Sequence, residues 1–374
     1  MRSVPAFANC HSHVFHRALR GRVVGAESFW TWREQMYALA EVLDPDSLFD
    51  LAAATYAEMY LAGVRTVGEF HYLHHQRGGV PYADPNLMGE VLIAAARDAG
   101  VRIALLDTCY LTAGVGRKPE GVQTRFADSD ADAWAARVSA LVDRYRGADD
   151  VVIGAAIHSV RAVPREQLAT VASALPEAPL HVHVSEQPAE NDECLAATGL
   201  TPVALLAEGG AWTPRTTAVH ATHLTSADIE ILGSASSYAC FCPTTEAELA
   251  DGIGPSVALR EAGARLTLGS DSNTVIDMFA EARAVEMHER LRSGRRGAWS
   301  ARQLWDAATT VGHESLGFSV PAPIEVGESV RTAGSVEVLW SATSEDVLST
   351  GSRNVSDEVA HRLRTAIEAC WSRT

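Results

Sequence analysis

Lysine is almost missing from this chain of 374 residues: Lys118 stands alone against 30 arginines. A Schiff-base mechanism would have to use that one residue. No lysine sits near the strand ends identified below, which disfavours a two-metal centre bridged by a modified lysine. Paired cysteines are missing too. The six cysteines (10, 109, 194, 240, 242 and 370) are scattered, with no Cys-x-x-Cys spacing, so reduced thiols are expected. No apolar run approaches the length of a membrane span. Met1-Arg2-Ser3-Val4-Pro5 passes into a strand-like segment without the long apolar stretch of a secretion signal, and a cytoplasmic location is expected. Positive charge is in deficit. A formal net charge of −16 argues against a nucleic-acid or membrane partner, because like charges repel. An anionic substrate is still allowed, since a few local arginines can override the global sign. No Gly-x-Gly-x-x-Gly follows a first strand, which leaves an open doubly wound sheet without its usual support.

What is present is a globular composition, 47% hydrophobic and 21% charged, in a chain long enough for one barrel-sized domain with a small appendage. Eight short β-rich runs stand out: 6–13, 64–70, 102–110, 151–160, 180–186, 217–223, 237–243 and 265–272. Most are almost continuously apolar, as parallel strands buried on both faces are. Helical stretches separate them. Asp44-Pro45 up to Gly63, and Asp84-Pro85 up to Gly100, each show an acidic N-cap, proline at the first helical position and glycine past the end. Repeated strand–helix units predict an α/β fold, a (β/α)8 TIM-type barrel over residues 1–318. Residues 319–374 are read as a reduced small β-rich appendage with a terminal helix over 356–371. The segment 21–37, containing Phe29-Trp30-Thr31-Trp32-Arg33, is long for a connection and is read as a lid over the barrel mouth.

Metal-type residues gather where these runs end. His11 and His13 lie two apart on the first, so both point to one side and suit a shared ion. His181 and His183 repeat the spacing on the fifth, where one would bind and the other pack. Glu186, three residues on, is placed for a proton shuttle. His220 closes the sixth run, with His223 in its loop, and Asp271 closes the eighth in Gly269-Ser270-Asp271-Ser272. A carboxylate in so apolar a run needs a partner, since burying it alone is costly. Hydrogen-bonded core histidines are the plain alternative for any one motif. Together, three histidines and an aspartate with an open position for water describe a catalytic metal sphere. Zinc fits those donors best, and iron or manganese can also use them. His158 and Arg161 end the fourth run, and an arginine at a barrel mouth can clamp a carboxylate through two hydrogen bonds. Glu69-Phe70-His71-Tyr72-Leu73-His74-His75 ends the second, too polar for simple core packing, with Tyr72 a candidate substrate contact. Cys240 and Cys242 are expected to pack rather than react.

These residues, in this order, resemble the amidohydrolase superfamily, and within it the formimidoylglutamate deiminase family of histidine degradation. Its members hydrolyse N-formimidoyl-L-glutamate to N-formyl-L-glutamate and ammonia. The matching motifs are Asn9-Cys10-His11-Ser12-His13, Phe29-Trp30-Thr31-Trp32-Arg33-Glu34, Glu69-Phe70-His71-Tyr72, His158-Ser159-Val160-Arg161, His183-Val184-Ser185-Glu186-Gln187, Cys242-Pro243-Thr244-Thr245-Glu246 and Gly269-Ser270-Asp271-Ser272. They run from about residue 5 to about residue 318. The resemblance implies one zinc on His11, His13, His183 and Asp271. It implies catalytic roles for Glu186, His220 and Asp271, and a carboxylate-bearing amidine held by Arg33, Tyr72, His158 and Arg161. It also implies a homodimer. His16 stands where the family usually has a glutamine that contacts substrate. Family members carry a small β-domain made from both chain ends, whereas this chain begins at the first barrel strand and is abbreviated after Gly317. These two departures keep a second reading open, a mononuclear-zinc aminohydrolase for another formimidoyl, amidine or guanidine compound. A catalytically silent binding relative is the third reading, and it has no chemical need for the whole residue set.

Overall fold

Among the described residues the chain forms eleven strands: β1 (Arg2–Val4), β2 (Phe7–Ser12), β3 (Val64–His71), β4 (Arg102–Cys109), β5 (Val151–Ile157), β6 (Leu180–Val184), β7 (Thr216–His220), β8 (Tyr238–Phe241), β9 (Arg265–Leu268), β10 (Ile324–Val326) and β11 (Val347–Leu348). This is a computed structural model, and it describes residues 2–22, 29–327, 335–348 and 353–374. Strands β2 to β9 form one parallel sheet in sequential order. Its two edges meet where Ser12 bridges Asp271. There His13 donates its backbone N–H to Asp271 O and Asp271 donates to His11 O, both at 2.9 Å. With helices between the strands, this is a (β/α)8 barrel. The near-continuous burial of β2, β4 and β6 explains why these runs read as apolar throughout.

Closure brings backbones unusually near one another. A Cβ on Gly269 would lie 2.7 Å from His11 Cβ and 2.7 Å from His11 O, so only glycine fits where the last strand passes the first. Asn9 on β2 seals the same seam: its side chain donates to Ser270 Oγ at 2.6 Å and accepts the Ser270 N–H at 2.9 Å.

The helix Pro45–Leu61 begins as its sequence signals require. Asp44 accepts the Ser47 N–H at 2.9 Å, and the Ser47 hydroxyl oxygen accepts the Asp44 N–H at 3.0 Å. The next helix departs from its reading. It starts at Leu87 rather than after Asp84-Pro85, because Asp84 accepts the Asn86 N–H at 2.9 Å and forms a turn first. The strands also stop short of the predicted ends of the fifth and sixth runs. Ser185, His220 and Ala221 have φ of 53°, 67° and 49°, which ends the pleat and turns the chain outward.

The small sheet joins both parts of the chain. Strand β1 pairs antiparallel with β10, which pairs antiparallel with β11. The N-terminal strand therefore belongs to the appendage that was read from residues 319–374 alone. A helix over Ser335–Ser341 lies between β10 and β11. The terminal helix spans Arg353–Trp371, and Trp371 donates its indole N–H to Ala18 O at 2.7 Å. Within the expected lid, residues 23–28 lie outside the described residues, and α1 (Phe29–Val42) follows them. Buried Arg125 holds the end of α1, donating to the carbonyls of Ala40, Glu41 and Leu43 and to that of His75. An arginine there satisfies carbonyls that a helix end leaves open. Among the described residues no helix is long and apolar enough to cross a membrane.

Candidate active site

At the C-terminal mouth of the barrel, side chains from β2, β6 and the loop after β9 converge. His183 Nε2 lies 3.1 Å from His11 Nε2 and 3.3 Å from His13 Nε2. Asp271 Oδ1 lies 3.3 Å from His11 Nε2 and 3.4 Å from His13 Nε2. The outer hydrogen bonds fix what these nitrogens are. His13 Nδ1 faces Phe70 O and His183 Nδ1 faces His158 O, each at 2.9 Å. A carbonyl only accepts, so both Nδ1 atoms carry the proton and both Nε2 atoms are bare lone pairs. Burial pushes His13 and His183 well below the ordinary imidazole pKa, and the neighbouring imidazoles push in the same direction. Two neutral lone pairs facing each other at 3.3 Å, beside a carboxylate, repel unless a cation lies between them. The donor set fits a metal ion.

His181 does not join this set. It is fully buried on β6, and neither ring nitrogen has a hydrogen-bond partner among the described residues.

Around the cluster sits an acid–base array. His220 Nε2 is 3.9 Å from Glu186 Oε1 and 3.9 Å from Asp271 Oδ2, and its Nδ1 is 3.4 Å from Glu246 Oε1. Burial opposes charge on His220, but Glu186, Glu246 and Asp271 together hold its pKa well above the ordinary value. Burial raises Glu186, with His220 offsetting part of the effect and Asp271 adding to it. Burial would also raise Asp271, yet His11, His220 and His13 keep its carboxyl below the usual range. Asp271 itself has φ of 46°. A non-glycine residue held there at a functional position is strained backbone fixed by its surroundings, here by Asn273, whose amide donates to Ser12, His13 and Asp271.

The remaining expected residues line the same cavity: His16, Arg33, Tyr72, His158 and Arg161. His16 Nε2 meets Tyr72 OH at 2.8 Å. The His158 ring packs edge-on against Tyr72 and Tyr110, while its carbonyl orients His183. The Arg161 backbone is tied by the Thr112 hydroxyl at 2.8 Å. Its guanidinium has no ion-pair partner among the described residues, and its buried Nε has no hydrogen-bond partner. Of the polar run after β3, only Tyr72 enters the cavity. His74 bonds to Thr108 O and His75 to Ala127 O. His71 and His74 also surround Asp107, but Arg137 takes both oxygens of that carboxylate at 2.8 Å, so the group is a buried salt-bridge network.

Sequence reasoning assigned no role to Glu246, Tyr37, Tyr110 or Gln123. Glu246 was within reach: it lies in the Cys242–Glu246 motif just after a strand, and it accepts the Cys242 N–H at 2.8 Å. Tyr110 closes a strand-like run and Tyr37 lies in the expected lid. Gln123 carries no local signal of a role in the cavity, because the two tyrosines its amide meets come from other segments.

A parallel barrel with histidine and carboxylate donors at its C-terminal mouth, flanked by a proton-transfer array, defines a hydrolase acting on carbon–nitrogen bonds. The sequence agrees: the amidohydrolase family model matches residues 3–328, and the chain belongs to the amidohydrolase family. It is 36% identical over 329 residues to formimidoylglutamate deiminase of Pseudomonas aeruginosa, an alignment covering 84% of this chain and 72% of that protein. It is 31% identical to the 8-oxoguanine deaminase of the same organism, over 78% of this chain and 65% of that protein, just under two thirds of its length. Among solved structures, an amidohydrolase from Brucella melitensis superposes with a TM-score of 0.89 at 31% identity, covering 99% of this chain and 90% of that one. A zinc-bound adenosine deaminase from Xanthomonas campestris shares the fold, with a TM-score of 0.81 at 23% identity over 98% and 86% of the two chains. These relatives place the chain among the deaminase-type amidohydrolases.

Proposed function

We propose that the protein is a metal-dependent deiminase that hydrolyses N-formimidoyl-L-glutamate to N-formyl-L-glutamate and ammonia. The observation that carries this reading is Arg161, a guanidinium lining the catalytic cavity with no direct ion pair among the described residues, Glu186 and Glu190 feeling its charge at longer range. A charged group kept in that state is best explained by an anionic ligand. The substrate would then be an amidine bearing carboxylate, which is also what the deiminase relative's name describes.

His11, His13, His183 and Asp271 would hold one divalent ion, zinc fitting their nitrogen and oxygen donors best. When bound, such an ion supplies Lewis-acid chemistry, polarising the amidine carbon and making a water more acidic. Arg161 and Arg33 orient the substrate by its carboxylates, so that the amidine points at the cluster. Asp271 accepts the proton of the attacking water. Protonated His220 stabilises the negative charge that develops. Glu186 delivers a proton to the leaving nitrogen, so that ammonia departs rather than an amide anion. His16 and Tyr72 form one wall beside the reacting carbon.

A second reading has its own support. Tyr72, Tyr110, Phe126 and Trp32 line the cavity with aromatic faces, and a planar heteroaromatic amine, the kind of group named in the 8-oxoguanine deaminase relative, would stack there. Ammonia release measured over a panel of carboxylate-bearing amidines and aminopurines separates the two. Turnover of aminopurines alone would overturn the first reading.

A further inference from the structure

Gln123 sits on the short helical turn Gly121–Arg125, and its amide can be oriented. The side-chain oxygen faces the backbone N–H of Glu120 at 3.5 Å. This capping contact orients the amide with Oε1 toward Glu120 and Nε2 toward the cavity. Nε2 lies 3.2 Å from Tyr37 OH and 3.0 Å from Tyr110 OH. An amide NH2 only donates, so both phenol oxygens accept from Gln123. Each must then aim its own O–H proton elsewhere. Neither hydroxyl has another hydrogen-bond partner among the described residues, and both residues line the cavity with Arg33 and Arg161. Arg33 stacks its guanidinium 5.5 Å from the centre of the Tyr37 ring. Burial and the nearby Tyr37 raise the Tyr110 phenol well above its ordinary pKa, so it remains a donor throughout the working pH range.

We propose that Gln123 is a specificity-determining residue: by donating to both phenols it makes Tyr37 and Tyr110 obligate O–H donors into the pocket, where they join Arg33 and Arg161 in a receptor for a substrate carboxylate remote from the scissile C–N bond. The inference rests on the carboxylate-substrate reading above and adds to it. Arginines alone would favour any anion. Two phenol donors of fixed polarity favour one whose oxygens lie at a set place, and they penalise a substrate that presents its own donors there.

Gln123→Glu tests this, because it keeps the size of the side chain and replaces a two-proton donor by an acceptor. Both tyrosine O–H groups then turn toward residue 123 and away from the pocket. Binding of N-formyl-L-glutamate is read by quenching of tryptophan fluorescence, since Trp32 lines the cavity. The Kd is expected to rise roughly tenfold or more in Gln123→Glu. Tyr110→Phe should move in the same direction. The steady-state signature is a raised KM for the carboxylate amidine with kcat within about threefold. If both folded variants bind N-formyl-L-glutamate within twofold of wild type, the proposal is overturned. If wild type itself neither binds that compound nor hydrolyses any carboxylate amidine, the carboxylate reading fails, and that failure is visible without any variant.

Discussion

Gly269→Ala places one methyl group where the last strand crosses the first, and its cost can be worked from the coordinates. The new carbon would sit 2.7 Å from both Cβ and O of His11 and 2.9 Å from its backbone nitrogen. Ordinary contact needs ~3.5 Å, so the strands must part by roughly 0.8 Å. The backbone of His11 cannot simply withdraw, because its carbonyl accepts the Asp271 N–H at 2.9 Å across the seam. Overpacking of this kind costs about 1–3 kcal/mol, or roughly 1–4 °C in Tm for a chain of this size. The shift falls on His11 and Asp271, two of the four proposed metal ligands. Zinc affinity should therefore drop at least roughly tenfold, as it does when ligand orientation is disturbed in other sites. Circular dichroism melts and zinc titration against a competing chelator read the two effects. Wild-type Tm together with wild-type zinc affinity would refute both the closure geometry and its link to the metal centre.

Arg161→Met should raise KM for a carboxylate amidine by roughly 10–100-fold, the worth of a charge-assisted hydrogen bond, with kcat nearly unchanged; steady-state kinetics with an unaltered KM would remove Arg161 from substrate binding. Glu186→Gln should lower kcat about 10²–10⁴-fold while the Tm stays near wild type, and turnover close to wild type would dismiss it as the proton shuttle. Burying neutral His74 and His313 should cost stability as pH drops from 7 toward 5. Burial lowers both to about 4 from the ordinary 6.5, so the unfolded chain takes up protons in that window that the folded chain refuses. Glu69 and Glu281, raised by burial to about 8, act in the opposite sense, so the comparison is between variants: the shift of the urea midpoint from pH 7 to pH 5 should be less unfavourable in His74→Gln than in wild type, and an equal or more unfavourable shift would contradict that sign.

The barrel was legible because burial on both faces makes parallel strands continuously apolar, and because strand-end histidines and carboxylates stand out against such runs. His11, His13, His220 and Asp271 could be read from their strand positions. The choice between His181 and His183 could not, because both lie on the same strand face and only depth in the barrel separates them. The start of the helix at Leu87 was misplaced because Asp84 makes a turn with Asn86 that uses the same residue types as a cap. The Arg2–Val4 strand was missed because three residues carry no period, and its partner lies more than three hundred residues away. Gln123 was invisible for a related reason: its meaning lies in two tyrosines from other segments.

The most direct test of the account is ammonia release from N-formimidoyl-L-glutamate by zinc-loaded protein, with Asp271→Asn alongside. The account predicts kcat/KM of roughly 10⁴ M⁻¹s⁻¹ or more for the wild type, lost in a variant that still folds. Folded, metal-loaded protein that releases no ammonia from this substrate, yet deaminates a heteroaromatic amine, would contradict the assignment and place the chain with the aminopurine branch of its family.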